Sequence, residues 1–569
     1  MKRRPNPRRR ALWVIWLCAS CPSPAPQPSD AFRGEDASVD GGIDGGEMPD
    51  TGRDAYVPDG GPPLPIAFGR PGPLRGDSGR RSFRFGAATA ATQIEETNRR
   101  TDWWAWTAPR SEGGLGRGHD YVGDAVRGYT KAIEDIRLLR EMHLDAYRFS
   151  IEWARIEPER NRIDNEAVQH YRRFLEELRS AGIRPMVTVH HFSNPLWADD
   201  PRIDPATCTE SATQLCGWGH SGPALVQEIA EHAAFLARTY GDLVDEWCTI
   251  NEPVNYILAA YGVAQFPPGR SWLLSERARF IQVVENFMNA HVAIYRAIRE
   301  NDTVDADDGD GVPALIGIPL SVAYWIPTRN GMPSNHPDDL AAVERINYLY
   351  HFLVPDAALD GRWDPDLDPS TSNIETRESW RGTIDWLGLQ YYFRTGVTAS
   401  PALLPLVRAT PCFPPLDSGA CLRPEFRDPT HYVPAMRYEF YAPGFYEVVM
   451  SFHRRYGPRL PLLATESGIA TEVGARRAEN IVRILEQIGR LLDEGVDFRG
   501  YYHWSLMDNF EWAEGFVPRF GLYRVERSGD YPRTPTLGAM VYGEIVRGRT
   551  LTEMHRRMYG GLGPMTPEP

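Results

Sequence analysis

Asp245-Glu246-Trp247-Cys248-Thr249-Ile250-Asn251 is a short apolar run, and Glu252-Pro253 ends it. Pro461-Leu462-Leu463-Ala464-Thr465 is another, followed by Glu466-Ser467-Gly468. Each run stops on an acid and begins a turn, and Pro253 bars the first from continuing as a strand. A carboxylate at the C-terminal end of a buried strand is where a TIM barrel keeps its chemistry, because the loops after all its strands gather on that face.

Six further runs of this kind occur at 83–91, 145–151, 184–191, 314–322, 384–392 and 500–506. With 245–251 and 461–465 they make eight, the number a closed barrel needs. Helical spacing fills the gaps. Tyr171, Phe174, Leu175 and Leu178 recur at that spacing before Gly182, as do Ile481, Ile484, Leu485, Ile488, Leu491 and Leu492 before Gly495. Strand, helix, strand is the rhythm of a parallel sheet. A doubly wound sheet shares that rhythm, but no glycine-rich phosphate loop opens a helix here. The predicted fold is therefore α/β, a single (β/α)8 TIM barrel over 76–560. Long loop insertions follow strands 3, 5 and 6.

Bulk composition narrows the chemistry. The formal charge of −14 argues against a nucleic-acid partner. Lysine occurs only at Lys2 and Lys131, in the leader and in a polar helical stretch, which excludes Schiff-base catalysis. Residues 1–21 read as an export signal: Lys2, Arg3, Arg4, Arg8, Arg9 and Arg10 precede an apolar segment at 11–17. That segment is too short to span a membrane. Cys18-Ala19-Ser20-Cys21 resembles a bacterial lipoprotein processing site with Cys21 lipidated, although Cys18 stands where Leu is usual. Plain secretion is the alternative. Residues 22–75, rich in Pro, Gly, Asp and Ser, read as a disordered tether.

In an exported chain, Cys208 with Cys216 and Cys412 with Cys421 read as local disulfides, and Cys248 as a buried thiol. Asp302, Asp305, Asp307, Asp308 and Asp310 suggest a calcium loop, but no spaced acid closes an EF-hand, so a solvated turn is expected.

The other strand ends add to the two acids. Strand 1 carries Gln93, and strand 2 carries Tyr147-Arg148-Phe149-Ser150. Strand 3 ends in His190-His191-Phe192-Ser193-Asn194-Pro195, and strand 6 in Gln390-Tyr391-Tyr392. Strand 8 gives Trp504-Ser505-Leu506-Met507-Asp508-Asn509-Phe510-Glu511-Trp512. Taken in series from about Phe83 to about Leu522, these motifs resemble glycoside hydrolase family 1, the β-glucosidase family.

That resemblance implies a retaining, exo-acting β-glycosidase that removes terminal β-linked glucose, galactose or fucose. It makes Glu252 the general acid/base and Glu466 the nucleophile. It makes Arg148 a partner that keeps Glu466 ionised, and Tyr392 a hydrogen-bond donor to it. Asn251 would contact the sugar 2-hydroxyl. Gln93, His191, Glu511 and Trp512 would contact other hydroxyls, and Trp504 would floor the sugar site. The chemistry needs no metal or cofactor, since two carboxyl groups about 5–5.5 Å apart suffice for retention.

Elementary geometry agrees on one point. Neighbouring strand residues face opposite ways, so only one of His190 and His191 can enter the cleft. Two departures from the family pattern stand out: Gln390 replaces Asn, and Phe192 replaces Trp. The strand-8 region lacks the lysine expected of members that act on phosphorylated sugars, which favours an unphosphorylated one. Trp103, Trp104 and Trp106 could stack on sugar or pack the rim.

Overall fold

The computed structural model describes residues 63–74, 82–306, 311–369, 373–404, 406–412 and 418–568. The expected export signal, Cys21, most of the tether and Asp307, Asp308 and Asp310 lie outside these residues.

Eight parallel strands form the centre: β1 (Arg84–Ala88), β2 (Ala146–Ser150), β3 (Arg184–His190), β4 (Glu246–Ile250), β5 (Leu315–Arg329), β6 (Trp386–Thr398), β7 (Leu462–Ser467) and β8 (Phe498–Trp504). Each pairs with the next, and β8 pairs with β1 through Tyr501 opposite Phe85, so the sheet closes. Parallel strands covered on both faces read as continuous apolar runs, which is why all eight stand out in the sequence.

Helices cover the outside: α1 (Ala132–Glu141), α2 (Asn165–Ser180), α3 (Gly222–Tyr240), α4 (Arg277–Asn301), α5 (Pro337–Asn347), α6 (Leu353–Asp360), α7 (Ala442–Tyr456), α8 (Gly474–Asp493) and α9 (Leu537–Gly548). The Asp164 carboxylate caps α2 by accepting from the backbone of Glu166 and Ala167. Its apolar stripe of Tyr171, Phe174, Leu175 and Leu178 is buried. Asp302 does not sit in a solvated turn. It follows α4, is buried, and accepts from Trp247 Nε1 at 2.9 Å.

Inside the barrel, large side chains alternate with gaps. Ala146, Met186, Cys248, Leu315, Trp386, Leu463 and Tyr502 make one layer, each from a different strand. Trp386 and Tyr502 fit only because their neighbours are glycines. A Cβ on Gly317 would lie 2.2 Å from Trp386, and one on Gly86 would lie 2.5 Å from Tyr502.

The folded body is longer at both ends than the sequence reading placed it. Ile66–Ala67, assigned there to the tether, pairs with Thr550–Leu551. Leu74 is buried against the barrel's inner layer, and the Gly72 carbonyl accepts from buried Arg84 at 3.1 Å. Past residue 560, Met565 is buried and Thr566 donates to Glu479 at 2.9 Å. The flanking Pro and Gly residues hid both segments, since they break any period in the few apolar positions between them.

Strands 5 and 6 also overrun their expected ends at 322 and 392. Their pairing continues past a register shift, with Arg394 opposite Tyr324 and Val397 opposite Pro327. The result is a two-stranded ledge above the barrel mouth. Arg394 binds Glu439 twice, at 2.8 and 2.6 Å, and pins the short hairpin Tyr432–Val433/Tyr438–Glu439 to this ledge. Disulfides join Cys208 to Cys216 and Cys412 to Cys421, and Cys248 is a buried free thiol.

Candidate active site

Glu252 follows β4 and is turned by its own backbone. Its φ of 40° is left-handed, a region L residues rarely occupy without cause. Its N–H donates to the Pro319 carbonyl of β5 at 2.9 Å, and Pro253 opens the short helix Pro253–Ile257. The side chain thereby faces a cleft of about 250 Å³ at the C-terminal end of the strands. Glu466, near the end of β7, faces the same cleft. Gly468 is required just beyond it: a Cβ there would lie 1.9 Å from the Trp504 carbonyl where β7 and β8 converge.

Arg148 rises from β2 fully buried. Its Nη1 donates to Glu466 Oε1 and its Nη2 to Asn251 Oδ1 at 2.7 Å. Tyr392 donates to the other Glu466 oxygen at 2.6 Å. Asn251 Oδ1 also accepts from Gln390 Nε2 at 2.9 Å. Gln390 is fully buried behind Asn251 and does not line the cleft, so it supports that amide rather than reaching toward a sugar.

The remaining residues assemble around this pair. His191, Trp504, Glu511 and Trp512 line the cleft, with the His191 ring roughly parallel to both indoles. His190 points away and pairs with Asn194. Gln93 lies fully buried under Glu511, its amide donating to the Phe510 carbonyl at 2.7 Å. Phe192 lines the cleft and stacks on Tyr256, 5.4 Å between centroids. Trp103, Trp104 and Trp106 pack the rim: Trp103 donates to the Phe192 carbonyl, Trp104 to the Tyr121 hydroxyl, and Arg117 covers Trp106.

Electrostatics separate the two acids. Burial, and then the charge of Glu466, push Glu252 up to about 8. Burial also raises Glu466, and the nearby Arg148 charge and Tyr392 hydroxyl only partly offset this. The expectation that Arg148 simply lowers it is thus too simple, because desolvation is the larger effect. The order of proton loss is still set. Arg148 and Tyr392 favour the ionised form of Glu466, and that charge then holds the proton on Glu252. Glu511, half-buried near Glu466, is also raised to about 8.

Several cleft residues were not legible as site residues. Asn255, Ser321 and Tyr350 stand beside Glu252, while Phe266, Phe393, Met436 and Tyr438 line the outer part. Only Asn255 carried a signal, its spacing of three residues from Glu252 at a helix start.

An acid raised toward neutrality and an arginine-paired carboxylate sharing one cleft at the C-terminal face of a (β/α)8 barrel are the equipment of a glycoside hydrolase. The glycosyl hydrolase family 1 model matches residues 77–550. A β-galactosidase of Pyrococcus woesei is 30% identical over 521 residues, covering 83% of this chain and 97% of that protein. A β-galactosidase of Sulfolobus acidocaldarius is 30% identical over 526 residues, covering 83% and 96%. The solved β-glycosidase from Pyrococcus horikoshii superposes with a TM-score of 0.69 at 27% identity, covering 88% of this chain and 99% of that one. The chain belongs to glycosyl hydrolase family 1, a family of retaining glycosidases.

Proposed function

We propose that this enzyme removes a single terminal β-linked glucosyl, galactosyl or fucosyl unit from a small, unphosphorylated glycoside. Glu466 attacks the anomeric carbon while Glu252 protonates the departing oxygen. Water then cleaves the glycosyl-enzyme with Glu252 as base. Glycosylation removes the Glu466 charge that raised Glu252, so Glu252 gives up its proton more readily in the second step.

The observation that carries this reading is the asymmetric support of the two acids. Glu466 is held by Arg148 and Tyr392, whereas the donors to Glu252 among the described residues are neutral, Asn255 at 2.7 Å and Ser321. The buried floor of Asn251, His191 and Trp504 and the modest cleft volume support exo action on one sugar. The names of the relatives favour galactose or glucose. The aromatic outer wall of Phe266, Phe393 and Tyr438 favours a flat apolar aglycone.

The test is turnover of aryl β-glucosides, β-galactosides and β-fucosides by protein beginning at residue 63. Activity that vanishes in Glu466→Ala, with retained anomeric configuration by NMR, is expected. Failure on every glycoside would overturn the reading.

We further propose export with a lipid anchor at Cys21. Two disulfides fit an oxidising compartment. Membrane fractionation that is lost in Cys21→Ser is expected, and a soluble wild-type protein would refute the anchor.

A further inference from the structure

Glu252 has a set of partners that the two-acid mechanism does not use. Asn255 Nδ2 donates to Glu252 Oε2 at 2.7 Å. Asn255 lies one turn on from Glu252, a spacing at which side chains meet. The Tyr350 hydroxyl lies 3.0 Å from Asn255 Oδ1 and 3.1 Å from Ser321 Oγ. All three residues line the cleft.

They come from three separate elements. Asn255 belongs to the short helix after β4, Ser321 to β5, and Tyr350 to a π-helical turn, Tyr348–Phe352, between α5 and α6. That turn, of a kind enriched at functional sites, brings Tyr350 over the cleft. The ring is braced by Trp325 edge-on at 5.3 Å.

Counting hydrogens gives the network a direction. Tyr350 has one hydroxyl hydrogen and two neighbours. If it donates to Asn255 Oδ1, the Ser321 hydroxyl keeps its own hydrogen for Glu252, and every hydrogen is used once. The Asn255 amide is then oriented with its nitrogen toward Glu252. The opposite orientation would place an amide oxygen against a carboxyl that must ionise in every cycle.

Resting on the retaining reaction above, we infer that Asn255, oriented by Tyr350, is a positioning residue that occupies Glu252 Oε2 and leaves Oε1 to carry the catalytic proton. One carboxyl oxygen is bound in both halves of the cycle. The other exchanges the proton, first to the leaving oxygen and later from water. Glu252 is also faced by Glu466 from β7, Arg148 from β2, Tyr392 from β6 and Tyr350 itself. Asn255 and Ser321 are the neutral hydrogen-bond donors to Glu252, and donation to a carboxylate favours its ionised form.

The test compares a dinitrophenyl glycoside, whose leaving group needs no proton, with an alkyl glycoside of the same sugar, from pH 5 to 10. Asn255→Leu is expected to slow the alkyl glycoside about tenfold or more and the dinitrophenyl glycoside only about twofold. It should also move the basic limb of kcat/KM upward by about one pH unit. Tyr350→Phe, which keeps the ring, should shift both readouts in the same direction by less, and it carries the test if Asn255→Leu does not fold. Equal losses on both glycosides with an unmoved basic limb would overturn the role. A wild type inert toward both glycosides would overturn the reaction itself, a failure distinct from an active wild type with indifferent variants.

Discussion

Arg148 binds the nucleophile Glu466 through Nη1 and Asn251 through Nη2 at 2.7 Å, so one buried guanidinium spans the ends of β7 and β4. This sets the charge balance of the cleft. Glu252, Glu466 and Glu511 are all buried or nearly so, and burial raises each of them. One guanidinium can offset one carboxylate. Glu466 takes that place, and the other two keep their protons near neutrality.

Tyr392 should tune the same balance. Its hydroxyl donates to Glu466 Oε2 at 2.6 Å and favours the ionised nucleophile. In Tyr392→Phe the Glu466 pKa should rise, and the acidic limb of kcat/KM should move to higher pH. A hydrogen bond to a charged group contributes about 1.5–3 kcal/mol, so kcat/KM at the optimum should fall roughly ten- to hundredfold. A pH profile with an unmoved acidic limb would contradict this.

Glu252 sets the opposite limb. Its pKa near 8 means that kcat/KM should fall as pH rises through about 8, where the free enzyme loses its acid. The same shift has a cost in stability. A carboxyl whose folded pKa lies above its unfolded value binds more protons when folded, so stability falls as pH rises from about 4.5 to about 8. Glu252→Gln removes that liability. It should be inactive on alkyl glycosides yet more stable than wild type at pH 8 by roughly 1–3 kcal/mol. Denaturant melts at pH 5 and pH 8 would check this, because the gain should be small at the lower pH.

Much of this site was legible because a barrel delivers its chemistry at strand ends. Gln93, His191, Asn251, Tyr392, Glu466, Trp504, Glu511 and Trp512 lie at or just past the ends of apolar runs, where position in the chain predicts position in space, and Arg148 is a charge set within one. Tyr350 could not be read this way. It lies 95 residues from Asn255, in a helix-to-helix turn with no period of its own. Tyr438 is similar, since its place depends on the Arg394–Glu439 pair that docks its hairpin. The strand overruns were missed because pairing continues wherever a neighbour continues, and that is a property of two segments together.

The outer cleft makes a prediction about substrate choice. Tyr438 stacks on Phe393 at 5.0 Å and 24°, and its buried hydroxyl has no hydrogen-bond partner among the described residues. The pair forms a flat wall beyond the two acids. Tyr438→Ala should raise KM for naphthyl or phenyl glycosides about three- to tenfold, and leave methyl glycosides within about twofold, since only the former cover the wall. Equal effects on both would show that the wall does not contact the aglycone.

The N-terminal boundary can be tested without substrate. Leu74 seals the inner layer from below, and Gly72 supplies a carbonyl to Arg84, whose ion pair with Glu246 is almost fully buried. Protein beginning at residue 63 keeps these contacts, whereas protein beginning at residue 82 exposes the layer and strips Arg84 of that acceptor. Leu74→Ala alone should cost about 2–4 kcal/mol, the range for a large-to-small change in a packed core. Truncation to residue 82 should cost more, because it adds an uncompensated buried donor and removes the Ile66–Ala67 strand pair with Thr550–Leu551. Equal thermal stability of the two truncated forms would show that the segment merely rests on the barrel.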